Sequence, residues 1–307
     1  MIRRLPVFAA ILALAASTAR AQSAQDAPTI SYPGQCGAGI PASETGPFTP
    51  LPRGDVFCPL IADPKSIRSF VSYQRGEADD FARDIAAVGI ADQFGFFRIG
   101  GSDAGNGVQL GLQGAVFAQF DAGTSSYDLL NSDFIIGLPL TFRAGGFSGR
   151  ARVYHQSSHL GDEFLLRPTR PERENLSFES AELLLSQDVN AIRVYAGGEH
   201  FFRRDPENLP SNLLHGGVEL RPRGTLGFGR TGRARFVAAG DVKAIDEDEW
   251  RIGVSARAGV EVGRPREGEV PGRRWSLLVE LYQGPSPYGQ FHRSSISLYG
   301  LGFHFTL

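Results

Sequence analysis

The stretch Trp250–Val262, WRIGVSARAGVEV, decides the fold of this 307-residue chain. Its residues alternate strictly: every even-numbered residue is apolar, and every odd-numbered residue is charged, serine or glycine. Successive side chains of a β-strand point to opposite faces, so the stretch predicts a strand with one apolar and one polar face. It is longer than the ~10 residues with which a tilted strand crosses a bilayer. This pattern favours an outer-membrane β-barrel over a soluble sandwich.

The same pattern, separated by turn residues, recurs along most of the chain. It predicts an all-β fold in which residues 64–307 form a transmembrane antiparallel β-barrel of about twelve strands, an even number as expected for a single-chain bacterial barrel. Between the first two strands we expect a short helical turn or loop within Glu77–Val88. The predicted strands are Ile67–Arg75, Gln93–Arg98, Gly107–Phe120, Asp133–Phe142, Phe147–Ser157, Leu176–Gln187, Asn190–Phe201, Leu213–Arg221, Arg233–Lys243, Trp250–Val262, Arg274–Gln283 and Ser295–Leu307.

The last residues of the chain, Tyr299–Leu307, alternate up to the final carboxylate. They resemble the C-terminal insertion signal of bacterial outer-membrane proteins, although that signal usually ends on an aromatic residue and this chain ends on Leu307. The resemblance implies that the barrel-assembly machinery recognises the final strand and that the protein resides in the outer membrane.

The start of the chain has the features of a secretory signal peptide. Two arginines are followed by an apolar run and then by an A-x-A site, which predicts cleavage after Ala21. Residues 22–63 are rich in Pro, Gly, Ser and Thr, so we expect an irregular periplasmic extension there. The two cysteines of the chain, Cys36 and Cys58, lie in this extension. In an exported protein they predict one disulfide.

Composition excludes some classes of function. The formal net charge is −2, which argues against nucleic acid as a partner. Beyond the signal peptide, no apolar run approaches the ~20 residues of a transmembrane helix. Lipid of the outer membrane is therefore the expected partner of a barrel with this pattern.

The segment Tyr154–Phe164, YHQSSHLGDEF, carries the main candidate for chemistry. Counting in twos from Val153 places His155 and Ser157 on the apolar face of their strand. Strand counting places both near the outer leaflet. Polar groups on a face that meets lipid are costly unless they have partners, so this pair calls for a reason.

A His-x-Ser pair at this position resembles outer-membrane phospholipase A and the lipid A deacylases. The resemblance implies hydrolysis of acyl esters, with Ser157 as the nucleophile and His155 as its general base. A third residue on the next strand would orient the imidazole, and Glu179 or Asn175 has the required parity, with Glu179 favoured. The phospholipase motif continues with Asn and Gly, whereas this chain has Ser158 and His159.

The longer motif YHQSSHLGDEF, residues 154–164, also resembles an uncharacterised family of bacterial exported proteins described only as a domain of unknown function. That resemblance implies an outer-membrane location and gives no chemistry.

Other interpretations stay open. The motif is also consistent with a polar cluster at the headgroup level of a non-enzymatic barrel, either structural or a narrow solute pore. No cofactor is expected, although a calcium ion near Asp162, Glu163 or Glu172 would suit a phospholipase-like enzyme. A metal site formed by His155, His159, Asp162 and Glu163 is disfavoured, since extended-strand spacing keeps the two histidines apart.

Charged residues on the polar faces of the strands are expected to fill the lumen. Their mixed signs favour internal ion pairs over a selective channel. The set comprises Arg150, Arg152, Arg193, Glu199, Glu219, Arg235, Asp241, Arg251, Arg257, Glu261 and Glu280.

Overall fold

The computed structural model describes residues 47–78, 83–100, 106–168, 174–222, 224–229, 232–247, 249–263 and 274–305. The predicted signal peptide, Cys36 and Leu307 lie outside these ranges. Cys58 is buried and is not a free thiol. Because its expected partner Cys36 is not described, the disulfide stays a prediction.

The described chain is almost entirely β-structure. The strands are β1 (Phe48–Pro50), β2 (Ser69–Ala78), β3 (Asp84–Ile99), β4 (Gly107–Asp121), β5 (Leu129–Ala144), β6 (Phe147–Leu160), β7 (Leu176–Val189), β8 (Ile192–Asp205), β9 (Asn212–Leu220), β10 (Leu226–Phe228), β11 (Gly232–Glu247), β12 (Glu249–Gly263), β13 (Trp275–Pro285) and β14 (Ser295–Phe305). One helical turn, α1 (Asp162–Leu165), follows β6, and a 3-10 turn (Gly289–Phe291) lies between β13 and β14.

Twelve of these strands close into an antiparallel barrel, which confirms the predicted fold class. Each pairs with the strands before and after it, and β14 pairs with β2 to complete the ring. The two short strands lie outside the ring order: β1 adds to β3 and β10 adds to β11. No helix in the described part of the chain is long and apolar enough to cross a membrane.

The faces of the barrel follow the pattern of β12. Trp250, Ile252 and Val260 are exposed on its outer face, whereas Ser255 and Arg257 are buried inside. Exposed leucine, isoleucine, valine and phenylalanine side chains recur on the other strands. Large exposed apolar surfaces of this kind are typical of a barrel that faces lipid.

Residues 51–66 lead into the lumen: Leu51, Arg53 and Gly54 are exposed, and most of residues 56–66 are buried inside. They have little regular structure, and their backbone carbonyls accept hydrogen bonds from arginines of the wall. Arg143 Nε donates to the carbonyl of Val56 at 2.8 Å, and Arg257 Nη1 donates to the carbonyl of Ile61 at 2.9 Å. The amide of Ile61 in turn donates to Glu219 Oε1 at 2.6 Å. We call residues 51–66 the lumenal plug.

The lumenal plug corrects one prediction. We expected residues 22–63 to form an irregular periplasmic extension. Residues 22–46 lie outside the described residues, and residues 55–63 are irregular, as expected, but lie inside the barrel. The physical reason is that the lumen is lined with arginines and carboxylates, which bind both the backbone and the charged side chains of this segment. Asp63, for example, pairs with Lys243 of β11 at 2.7 Å.

A second correction concerns Glu77–Val88. Residues 84–88 are not a helical turn but the start of β3, with Ile85 and Ala87 buried in the lumen. Alanines at positions 86 and 87 give the two faces similar side chains, so the alternation is not evident from the sequence.

Polar links hold the loops together at the end of the barrel where β6 finishes. Arg167, beyond α1, pairs with Asp121 and Asp128 of the β4–β5 connection at 2.7 and 2.9 Å. Hydrogen bonds from Ser126 and Arg167 lower the pKa of Asp128. Phe164 of α1 packs edge-on against Phe291 at 5.5 Å between ring centroids, and Phe291 is buried. The loop after β13 therefore folds inward over this end of the lumen.

Candidate active site

The YHQSSHLGDEF motif begins on β6, and its residues there alternate between the outer and the lumenal face, as strand parity predicted. Val153 is exposed on the outer face, and His155 and Ser157 follow it at intermediate exposure. Tyr154, Gln156 and Ser158 are buried on the lumenal face. The histidine and serine therefore belong to the surface that continues the apolar belt.

His155 forms a pair with Glu179 across the strand boundary. The two residues are direct partners in the register of β6 and β7. The Nδ1–H of His155 donates to Glu179 Oε1 at 3.2 Å, a tautomer that the carboxylate acceptor favours. The side chains are 42% and 28% exposed. Because Nδ1 is engaged, Nε2 is the nitrogen available as a base.

Ser157 lies one residue pair farther along the same face. Its partners in register are Phe134 of β5 and Ser177 of β7. In the described part of the chain no hydrogen bond joins Ser157 to His155. The structure thus brings the histidine and the carboxylate together and places the serine next to them. In free enzymes the hydrogen bonds of a catalytic set are often long and tighten only with substrate bound.

Asn175, the other predicted orienting residue, does not reach His155. It is exposed just before β7 begins, and its Nδ2 donates to Asp205 Oδ2 at the end of β8. Of the two alternatives, the structure therefore brings only Glu179 to the imidazole.

Arg203 of β8 was missed by the sequence prediction. It stands opposite Glu179 in register, and its Nε lies 3.7 Å from Glu179 Oε2. A β-bulge between Glu179 and Ser180 sets this position, because Ser180 pairs with Phe201 and an extra residue is inserted in β8. Strand parity read from the sequence could not place Arg203, since a bulge reverses parity beyond it.

A polar network on the lumenal side supports the end of β6. Ser158 Oγ donates to Asp133 of β5, and the amide of Gln290 donates to Ser158 Oγ at 3.1 Å. Lys65 of the lumenal plug pairs with the same carboxylate of Asp133. This network holds the lumenal plug, the β13–β14 loop and β6 together directly behind Ser157.

Gly289 allows the loop to approach β6 closely. A Cβ built on Gly289 would lie 2.5 Å from Ser158 Oγ and 2.6 Å from Ser158 Cβ. Only glycine fits at this contact without displacing the loop.

The disfavoured metal group does not assemble. His159 packs edge-on against Phe134 at 5.9 Å between ring centroids, while Asp162 and Glu163 are exposed at the start of α1. Glu172 lies outside the described residues, so a calcium ion there stays untested. Among the described residues, the group with ligand atoms close enough to share an ion is Asp63, His215 and Asp241. Those atoms are already paired with each other or with Lys243.

The predicted lumenal charges are confirmed as internal pairs. Each has a partner of opposite charge or a hydrogen bond, as in the case of Glu199, which accepts from Tyr154. Arg251 is the partly exposed member of the set, since it bonds to Glu247 at the end of β11 and to the loop before β14. The ion pairs include Arg150–Glu182, Arg152–Glu182, Arg193–Glu219, Arg235–Glu261, Arg251–Glu247 and Arg257–Glu280.

A model of a protein family of unknown function, DUF1207, matches residues 1–307. The chain belongs to the DUF1207 family. Among curated proteins, no match to the chain is found.

Solved structures with the same barrel include outer-membrane phospholipases. Phospholipase A from Escherichia coli aligns with a TM-score of 0.51 at 13% identity, covering 78% of this chain and 96% of that one. The Salmonella typhi phospholipase, a dimer with bound calcium, gives 0.50 at 13% identity, covering 80% and 94%. A KdgM porin gives 0.40 at 11% identity, covering 78% and 99%. At these identities the likeness shows an outer-membrane barrel fold alone.

Proposed function

We propose that the protein is an outer-membrane hydrolase that cleaves acyl esters of phospholipid or lipid A in the outer leaflet. The observation that carries the proposal is the His155–Glu179 hydrogen bond of 3.2 Å on the outward face, with Ser157 on that face one residue pair away. A half-exposed histidine oriented by a carboxylate beside a serine is the arrangement that activates a serine nucleophile.

In the proposed mechanism, Ser157 Oγ attacks the ester carbonyl carbon while His155 Nε2 takes the hydroxyl proton. Glu179 holds the imidazole by its Nδ1–H and stabilises the imidazolium. The tetrahedral intermediate then expels the alcohol of the lipid, which receives the proton from His155, and leaves an acyl-serine. Water, deprotonated by His155, attacks the acyl-serine and releases the fatty acid, which restores Ser157.

The proposal assigns no side chain to the oxyanion. Ser158, which stands where the phospholipase motif has Asn, points into the lumen and bonds to Asp133. Oxyanion donors often supply the largest single catalytic contribution, so backbone amides at the end of β6 would have to serve.

The filled lumen favours chemistry at the lipid-facing surface over passage of a solute through the barrel. The lumenal plug and the internal ion pairs occupy the interior of the described barrel, and Arg98 and Gln109 bind the plug carbonyls of Arg53 and Gly54. A solute pore is therefore less well supported than a closed barrel whose outer surface does the chemistry.

We also propose how the protein reaches the outer membrane. Export uses the signal peptide that ends at Ala21, and the barrel-assembly machinery recognises β14. Outer-membrane lipid is then both the solvent and the substrate.

The test is hydrolysis by the full-length chain purified in a maltoside detergent. Rates on phospholipid and on lipid A are compared for the wild type, Ser157→Ala and His155→Ala. Both variants are expected to lose activity. Ser177→Ala is the matched control, because Ser177 is the direct partner of Ser157 on the neighbouring strand. Its activity should equal that of the wild type.

A non-enzymatic closed barrel is the second candidate, favoured by the absence of a described His155–Ser157 hydrogen bond. Activity that persists in Ser157→Ala would reject Ser157 as the nucleophile, and a wild type inactive on both lipids would favour this second candidate.

A further inference from the structure

Arg203 is a cation without a strong protein partner beside the proposed active site. Its side chain is 81% exposed, and its one ion pair among the described residues is with Glu179, whose Oε2 lies 3.7 Å from its Nε. No hydrogen bond to Arg203 is found in the described part of the chain. An ion pair of this length and exposure contributes little, so the guanidinium remains available to another anion.

The surroundings of Arg203 place it at the boundary between lipid and water. Phe202 beside it is exposed, and Leu183 and Leu185 lie on the outer face of the neighbouring strand. A lone arginine is strongly disfavoured at the bilayer midplane and is tolerated near the interface, so Arg203 is expected at headgroup level. Its apolar stem allows the charge to reach that level.

The next carboxylate on this face is already engaged. Asp205 is two residues beyond Arg203, and it accepts the side-chain amide of Asn175. No ion pair between Arg203 and Asp205 is present among the described residues. The anions at headgroup level that remain for the guanidinium are the phosphates of lipids, which arginine binds through two parallel hydrogen bonds.

We propose that Arg203 binds the phosphate of the lipid whose acyl ester Ser157 attacks, so that the substrate class is phosphate-bearing lipid. This inference rests on the proposed function. β6 and β8 are two strand spacings apart, about 10 Å. The arginine side chain and the glycerol or sugar that separates phosphate from ester in one lipid span this gap together. Glu179 lies between, with Oε1 toward His155 and Oε2 toward Arg203.

The test measures binding of lipids that cannot be hydrolysed. A short-chain diether phosphatidylglycerol, the corresponding diether glycerol without phosphate, and inorganic phosphate are each titrated into the full-length chain in maltoside micelles by calorimetry. In Arg203→Gln, the Kd for the diether phospholipid should rise about tenfold, the loss expected for one charge-assisted interaction, and the Kd for diether glycerol should not change.

Arg75→Gln is the matched control. Arg75 is also exposed on the outer face and stands opposite a carboxylate, Asp84, on the neighbouring strand, but it is on β2. The Arg75→Gln variant should bind all three ligands with the Kd values of the wild type. Migration of the unheated barrel on a denaturing gel shows whether each variant is folded.

Three results would overturn the inference: unchanged phospholipid binding in Arg203→Gln, equal loss for both diether lipids, or inorganic phosphate binding as tightly as the phospholipid. The diether lipids lack acyl esters, so this result is independent of hydrolysis. An inactive wild type that still shows an Arg203-dependent preference for phosphate would reject the proposed function and keep the headgroup site.

Discussion

Among the described residues, histidines pair with carboxylates in the lumen, at His215–Asp241 and His304–Glu280, and on the outer face, at His155–Glu179. The surroundings of His215 and His155 differ. In the lumen, His215 Nε2 and Asp241 Oδ2 are 2.6 Å apart, the side chains are 4% and 2% exposed, and Tyr195 donates to the same carboxylate at 2.6 Å. On the outer face, His155 and Glu179 are half-exposed, and His155 Nε2 has no partner among the described residues. The lumenal pair is enclosed by other polar groups; the outer pair is open on one side.

The difference between the two pairs indicates that the outer face is the better place to look for a catalytic site in such a barrel. Buried polar groups require partners, and a dense lumenal network supplies them to most of these groups, the side-chain amides of Gln113 and Gln119 being exceptions among the described residues. The outer face has no such requirement for His155, Ser157 and Glu179, since apolar side chains would suit lipid better. Polar residues that the fold does not need are the stronger candidates for function.

The largest expected effect is on catalysis at the outer pair. Glu179→Gln removes the charge that orients and stabilises the imidazolium of His155. We expect the rate of ester hydrolysis to fall by about 10³-fold, within the range of general acid–base catalysis. The free energy of unfolding should change by no more than about 0.5 kcal/mol, as for other surface substitutions. Initial rates and urea unfolding in detergent measure the two quantities, and a large loss of stability would contradict the assignment.

The inward-facing Glu182 of the same strand should behave in the opposite way. It pairs with Arg150 and Arg152 at 2.8 Å each, with all three side chains buried. Glu182→Gln leaves two buried guanidinium groups without a counter-charge, which should lower the free energy of unfolding by ~3–5 kcal/mol. The measurement is the urea midpoint of the refolded barrel. A smaller loss of unfolding free energy in Glu182→Gln than in Glu179→Gln would contradict the proposed difference between the lumenal and the outer face.

A smaller effect is expected where the loop contacts the back of the site. Gly289→Ala would force its Cβ against Ser158, and overpacking of this kind costs ~1–3 kcal/mol. Gly240→Ala is the matched control, because a Cβ on Gly240 would meet nothing within 4 Å. Thermal unfolding of the two variants gives the comparison. Equal stability of the Gly289→Ala and Gly240→Ala variants would show that the contact between Gly289 and β6 tolerates a larger side chain.

The smallest effect is expected at Asn175. It bonds to Asp205 and not to His155, so Asn175→Ala should leave the hydrolysis rate within about twofold of the wild type. Side-by-side rates with Glu179→Gln sharpen the assignment of the orienting residue. A loss at Asn175 as large as the loss at Glu179 would contradict it.

Much of the fold could be predicted because strand periodicity is local. The alternation of Trp250–Val262 and its equivalents predicted twelve strands, their faces and the lumenal pairs. The lumenal plug could not be predicted, since residues 51–66 have no periodicity and are fixed by distant partners such as Arg143 and Arg257. The start of β3 was missed because alanines at positions 86 and 87 give both faces similar side chains.

Strand parity alone predicted which residues of the site lie on the outer face. Parity placed His155, Ser157 and Glu179 on the outer face, and it placed Asn175 there as well. Only the register and the hydrogen bonds separate Glu179 from Asn175. Arg203 was beyond prediction because the bulge in β8 changes the parity of the residues that follow it.

The most direct test of the central claim is covalent labelling of the wild-type barrel with a serine-directed fluorophosphonate, followed by mass spectrometry of the peptides. The proposed catalytic role of Ser157 predicts a single adduct on Ser157, absent in Ser157→Ala and lost in His155→Ala, because only a serine activated by a general base reacts readily with this reagent. No adduct on Ser157, or an adduct that forms equally fast in His155→Ala, would contradict it.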